Sequence, residues 1–140
     1  MDYCKWSCIQ CHYETNYVVV LNFSVPSVRL GGNIIPLLSE SQHLNYLDLN
    51  YNDFDLSTIP IFSGSLRRLK HLDLSYSNLS GPIPHHIGNL SQLQFLSLGT
   101  YQGFITCTNL DWLSRLYSLS YLDLAFVDLT EVADWLQAMS

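Results

Sequence analysis

Four segments of this chain read Leu-x-x-Leu-x-Leu: Leu44–Leu49 (LNYLDL), Leu69–Leu74 (LKHLDL), Leu93–Leu98 (LQFLSL) and Leu119–Leu124 (LSYLDL). They begin 25, 24 and 26 residues apart. Leucines two residues apart share one face of a strand, so each copy supplies a short strand with a single apolar face. So small a unit cannot bury that face alone and must stack on its neighbours at a fixed period. The expected fold is an α/β solenoid, with short parallel strands on the concave face and irregular turns, short helices or 3₁₀ segments on the convex face.

The clearest copy spans 69–92, LKHLDLSYSNLSGPIPHHIGNLSQ. Leu69, Leu72, Leu74, Leu79, Ile83, Ile87 and Leu90 are its inward positions, and His71, Asp73 and Ser75 are expected to face solvent. Gly81-Pro82-Ile83-Pro84 should turn the chain, because proline fixes φ and donates no N–H. His85–Leu90 should return as a short helical or 3₁₀ turn. In the copy before it, Leu47, Leu49, Phe54, Ile59 and Leu66 point inward. Asn52, three residues after Leu49, can bond backbone groups of the adjacent turn. Ser77, Tyr101 and Val127 occupy the same place later, so the asparagine ladder is mostly missing and the packing should be less regular.

An earlier partial copy matches Val18, Leu21 and Phe23 to Leu44, Leu47 and Leu49, and Gly32-Asn33-Ile34 to Gly81-Pro82-Ile83. The copy from Leu93 lacks the Gly-x-Ile-Pro turn. There Asn109 reads as the N-cap of a short helix, with Asp111 complementing its dipole. Asp134-Trp135-Leu136 repeats Asp111-Trp112-Leu113. The division expected is a partial N-terminal cysteine cap over 1–17 and about five repeats over 18–140, the first and last atypical or incomplete.

Apolar residues make up 48% of the chain and charged ones 13%, with a formal net charge of −6. That balance argues against a nucleic-acid partner. Arg67, Arg68 and Lys70 are the only basic cluster and read as a solvated loop between repeats. The longest uninterrupted apolar run, Tyr17–Leu21, falls far short of the ~20 residues of a membrane helix, and no secretory signal is visible. Cys4, Cys8 and Cys11 crowd the N-terminus while Cys107 stands alone. Such a cluster ahead of repeats indicates a disulfide-stapled cap and an oxidising compartment, although the three cysteines with His12 could in principle hold zinc. Asn-x-Ser sequons at Asn22, Asn78 and Asn89 agree with secretion and mark glycosylation candidates. An oxidised cap without a visible signal, and a last copy without a polar cap, give the expectation that the chain is a fragment of a secreted or membrane-anchored protein.

The pattern Leu-x-x-Leu-x-Leu-Ser-x-x-x-Leu-Ser-Gly-x-Ile-Pro-x-x-Ile-Gly-x-Leu at 69–90 closely resembles the plant extracellular leucine-rich repeat. Its Gly-x-Ile-Pro element sets that class apart from cytosolic and animal repeats. Cys4-Lys5-Trp6, Cys11 and the strand from Val18 resemble the plant N-terminal cap, Cys-x-Trp-x-Gly-Val-x-Cys. The Asp-Trp-Leu segments resemble receptor-like proteins related to the fungal xylanase receptors of tomato. The resemblance implies a curved extracellular domain at the plasma-membrane surface that perceives a protein or peptide ligand and signals through a partner receptor kinase. It implies no catalytic residue and no cofactor. It also implies a Cys4–Cys11 disulfide. The sequence departs from the pattern where Tyr3-Cys4 replaces the family's Cys-Cys and Cys8 replaces its glycine.

Two sets of concave residues are candidate ligand contacts. Asp48, Asp73 and Asp123 hold equal strand positions, with Ser97 interrupting the column; they read as an acidic strip for a basic ligand or cation, or as ordinary solvated carboxylates. Tyr46, Asn50, Tyr51, His71, Tyr76, Phe95, Tyr121 and Phe126 offer aromatic and amide contact area at low entropy cost, or simply cover the sheet. The five histidines, His12, His43, His71, His85 and His86, form no metal set by spacing, and no Ser-His-Asp, P-loop or glycine-rich phosphate motif is present. The function expected is non-catalytic ligand recognition in defence or developmental signalling. The alternatives are a secreted inhibitor of microbial cell-wall-degrading enzymes and a truncated product without function.

Overall fold

The computed structural model describes residues 3–23, 38, 42–61, 66–101 and 104–139. The Gly32-Asn33-Ile34 turn lies outside them. A 3₁₀ turn at Tyr3–Lys5 leads into β1 (Ile9–Cys11), which pairs antiparallel with β2 (Val18–Asn22). From β2 the sheet is parallel. It continues through β3 (Tyr46–Asp48) and β4 (His71–Asp73), then β6 (Phe95–Ser97) and β8 (Tyr121–Asp123). Each copy of the motif contributes one strand of three residues. Backbone bonds carry the ladder one residue further, from Phe23 N to Asp48 O, Leu49 N to Asp73 O, Leu74 N to Ser97 O and Leu98 N to Asp123 O, all 2.8–2.9 Å.

The register explains the leucine pattern. Leu21, Leu47, Leu72, Leu96 and Leu122 are consecutive partners across the sheet. The first four are fully buried, and Leu49, Leu74 and Leu98 form a parallel buried row. Every inward position read at 44–68 and 69–90 lies in the core. Leu122, on the last strand, is 38% exposed.

The chain turns differently from expectation at Gly81-Pro82-Ile83-Pro84. Gly81–Pro82 is itself a strand, β5, parallel to β7 (Ile105–Thr106). Gly81 N and Ile83 N donate to Phe104 O and Thr106 O at 2.9 Å. Pro82 falls between those donors, where no N–H is needed. Gly81 has φ +83°, a region that favours glycine, and an added Cβ would meet Thr58 Cγ2 at 3.3 Å.

His85–Asn89 and Asp111–Arg115 are 3₁₀ turns that pack on each other. Arg115 lies over Gly88 and donates to His85 O at 3.0 Å. Leu110, not Asn109, holds the cap position of the second turn. Asn109 works one step earlier: its Oδ1 accepts from Asp111 N at 3.0 Å, and its backbone oxygen accepts from Trp112 Nε1 at 3.1 Å. The second Asp-Trp-Leu falls in a longer helix, α1 (Thr130–Met139). None of the helices among the described residues is long and apolar enough to cross a membrane.

At the N-terminus Cys4 and Cys11 are joined, their Cα atoms 5.5 Å apart, while Cys8 and Cys107 are free thiols. The bond ties the first 3₁₀ turn to β1, and Ile9 of that strand covers the open end of the leucine stack opposite Leu21.

Candidate concave recognition surface

The strands put the same side of every repeat on one face, so register turns scattered residues into columns. Val20, Tyr46, His71, Phe95 and Tyr121 are successive partners. Four of them form a continuous ring stack. Tyr46–His71 and His71–Phe95 centroids are 4.1 Å apart, and Phe95–Tyr121 centroids 4.3 Å, with planes within 11° of parallel. Strands ~4.8 Å apart hold planar groups at a spacing suited to stacking. All four rings keep part of their surface in solvent. Before the stack, Tyr17 lies on His43 at 3.9 Å.

A second aromatic column follows the strands. Tyr51 and Tyr76 stack at 5.4 Å, and Tyr76 meets Tyr101 at 4.9 Å. Tyr101 stands at the asparagine-ladder position by sequence, yet its side chain is exposed while Thr100 is buried. Thr100 N donates to Ala125 O, as Tyr51 N does to Ser75 O and Tyr76 N to Gly99 O. The backbone equivalent of the two tyrosines is therefore the threonine, and the ring comes from the next residue. Phe126 is 70% exposed. Tyr51, Tyr76 and Phe126 all have φ between +52° and +61°, an unusual conformation for bulky side chains.

Between these columns lies the acidic one: Asn22, Asp48, Asp73, Ser97 and Asp123. Asp73 and Ser75 do not face solvent as expected; with Asp48 they are at most 9% exposed. Each aspartate anchors the turn after its strand: Asp48 Oδ1 accepts from Asn50 N, Asp73 Oδ1 from Ser75 N and Oγ, and Asp123 Oδ1 from Ala125 N. Asn50 Nδ2 bridges to Asp73 Oδ2 at 3.3 Å. Burial pushes the Asp48 carboxyl up to about 6; the Asn50 N–H pulls the other way and the Asp73 charge adds to the rise. Burial also lowers His71, against the pull of Asp73, and raises Tyr46.

Behind the face, Asn52 Nδ2 donates to Leu49 O at 2.8 Å and Phe23 O at 3.3 Å. Ser77 takes over one repeat later, its hydroxyl on Leu49 O and Ser75 O. The ladder position is thus polar and satisfied in two copies, and apolar at the buried Val127.

Arg67, Arg68 and Lys70 are all exposed, as expected of a solvated loop between repeats, and Arg68 and Lys70 also border a hollow. With Tyr17, His43 and Asn45 these two line an open space of about 400 Å³, where Arg68 Nη1 lies 3.1 Å from His43 Nδ1. Of the sequons, Asn22 sits in the acidic column, Asn78 donates to Asp53 Oδ1 at 2.9 Å, and Asn89 is exposed on the convex 3₁₀ turn.

Spacing along the chain hid one grouping. Asp48, His71 and Asp73 come from two strands 23 residues apart in sequence, and the register brings one ligating atom of each within 4.8 Å of the others.

Comparison with known proteins agrees with this architecture. The Leucine Rich Repeat family model matches residues 43–66 and 68–90. Receptor-like protein EIX1 of Solanum lycopersicum is 38% identical over 148 residues, covering 98% of this chain and 14% of that protein. Receptor-like protein EIX2 of the same plant is 41% identical over 90 residues, 58% of this chain and 9% of its own length. The chain thus spans about one seventh or less of these relatives. Among solved structures, the ectodomain of the Arabidopsis thaliana receptor kinase GASSHO1/SCHENGEN3, in complex with CASPARIAN STRIP INTEGRITY FACTOR 2, superposes with a TM-score of 0.76 at 27% identity. It is matched over 89% of this chain and 14% of that one. A plant ice-binding protein gives the same TM-score at 26% identity, over 91% of this chain and 40% of its own. By its repeat motif, its strand register and these likenesses, the chain is a leucine-rich repeat solenoid similar to plant receptor-like proteins.

Proposed function

We propose that this chain is a non-catalytic recognition module whose concave face takes a protein or peptide segment. The observation that carries the reading is the ring stack Tyr46–His71–Phe95–Tyr121, partly exposed and fixed on parallel strands. Aromatic side chains held in place lose little entropy on contact and dominate binding energy at interfaces. The exposed rings of Tyr51, Tyr101 and Phe126 widen the surface, and Asp48, Asp73 and Asp123 give it acidic polarity, so a segment with basic and aromatic side chains fits best. The likeness to EIX1 and to the GASSHO1/SCHENGEN3 ectodomain supports a role at the extracellular side of the plasma membrane in defence or developmental signalling. There a partner receptor kinase would carry the signal inward. Glycans at Asn22, Asn78 and Asn89 belong to the same reading.

A random-peptide display library panned on the chain tests the proposal. Peptides enriched on the wild type should be rich in Arg, Lys and aromatic residues and should bind at least tenfold more weakly to Phe95→Ala and Tyr121→Ala. Peptides that bind those variants as well as the wild type, but lose affinity when the convex His85–Asn89 turn is altered, would overturn it.

A further inference from the structure

We infer that Asp48, His71 and Asp73 form a binding site for a divalent transition ion of the zinc class on the concave face. Their ligating atoms lie within 4.8 Å of one another. Bonds of ~2.0–2.2 Å from each atom to one ion require mutual distances up to ~4 Å, so a small rotation of the side chains closes the site. The donor set of two carboxylates and one imidazole suits zinc, manganese or nickel better than calcium or magnesium, which prefer all-oxygen shells.

Three features of the cluster point to a ligand rather than to crowding alone. First, Asp48 is 7% exposed, and the only hydrogen bond to its carboxylate among the described residues comes from the N–H of Asn50. A buried carboxylate so weakly bonded, beside a second one at 9% exposure, is a costly arrangement that a cation relieves. Secondly, His71 is clamped between Tyr46 and Phe95, and its ring nitrogens have no hydrogen bond among the described residues. The stack fixes the ring while leaving a lone pair free. Thirdly, the Asn50 Oδ1 carbonyl is sealed from solvent without a hydrogen-bond partner. Its amide Nδ2 is already on Asp73, so the side chain that carries this unsatisfied oxygen touches the cluster. Asp48, His71 and Asp73 sit on adjacent strands of one sheet, which fixes their separation.

The test is titration of the whole chain with Zn²⁺, Ca²⁺ and Mg²⁺ by calorimetry, with Co²⁺ as an optical probe. One equivalent of Zn²⁺ should bind, with Ca²⁺ and Mg²⁺ at least tenfold weaker. His71→Phe, which keeps a ring in the stack, and Asp48→Asn should each weaken Zn²⁺ at least tenfold, while His85→Ala with His86→Ala should leave it unchanged. The wild-type Co²⁺ spectrum should show ligand-field bands without thiolate charge transfer. A charge-transfer band would assign the metal to the free thiols Cys8 or Cys107, and it would overturn the proposal even if a variant fails to fold. Zn²⁺ binding unchanged in both site variants, or no binding below about millimolar, would overturn it too.

Discussion

Replacing Asp48 with asparagine should make the chain more stable at neutral pH. Asparagine keeps the oxygen that accepts from Asn50 N and removes a charge that the fold holds at 7% exposure beside Asp73. The carboxyl sits at about 6 in the folded chain against an ordinary 3.8. The folded state therefore holds the proton more tightly than the unfolded one. Asp48 favours folding fully below the ordinary value, and that contribution is lost as pH rises through about 6. Two pH units at ~1.4 kcal/mol each give an upper bound of ~3 kcal/mol, and residual solvent screening brings the expected penalty to ~1–2 kcal/mol at pH 7. The assay is urea unfolding of both proteins in chelating buffer across pH 4–7. Other carboxylates titrate in both, so the difference between the two isolates Asp48. Asp48→Asn should gain on the wild type as pH rises and level off near pH 7. A difference flat with pH, or a variant less stable at pH 7, would refute the reasoning that burial dominates this carboxyl.

Two further outcomes follow from the packing. Leu72→Ala removes a fully buried rung between Leu47 and Leu96, and should cost about 2–5 kcal/mol by urea unfolding. A loss below ~1 kcal/mol would mean that the stack collapses around the gap. Asn52→Ala should cost about 1–3 kcal/mol, because Phe23 O loses a donor whereas Leu49 O keeps Ser77; amide exchange in the Phe23 and Leu49 turns should rise more than elsewhere.

Much of this fold was legible because each copy states its own register. Leucines two apart name the buried face, and copies about 25 apart name the partners, so the columns Tyr46–His71–Phe95–Tyr121 and Asp48–Asp73 could be written from spacing alone. What spacing could not show was depth. Asp73 and Ser75 look outward by alternation, yet they are buried, with Ser75 folded back on Asp73 and Asn50 bonded to Asp73 from the copy before. Spacing along the chain also hides lateral proximity, which is why His71 seemed to lack a metal partner. Local backbone choices were illegible as well. The copy at Leu93 gives its surface ring from Tyr101 and buries Thr100, an exchange of neighbours that leaves the leucine pattern untouched. The Gly-Pro strand depends on a partner, Ile105–Thr106, whose sequence does not resemble it.

The ring stack also acts as a ruler with a pitch unlike that of any peptide laid along it. Its steps are 4.1, 4.1 and 4.3 Å. Side chains on one face of an extended peptide recur every ~6.6 Å, so three ring steps and four peptide residues both come to roughly 13 Å. The two scales coincide at Tyr46 and Tyr121 and fall out of phase between them, like the marks of a vernier. A side chain in the middle of such a peptide meets the seam between His71 and Phe95 rather than either ring. Selectivity on this face would then reside in two anchors four residues apart, with the intervening position chosen for what fits a seam.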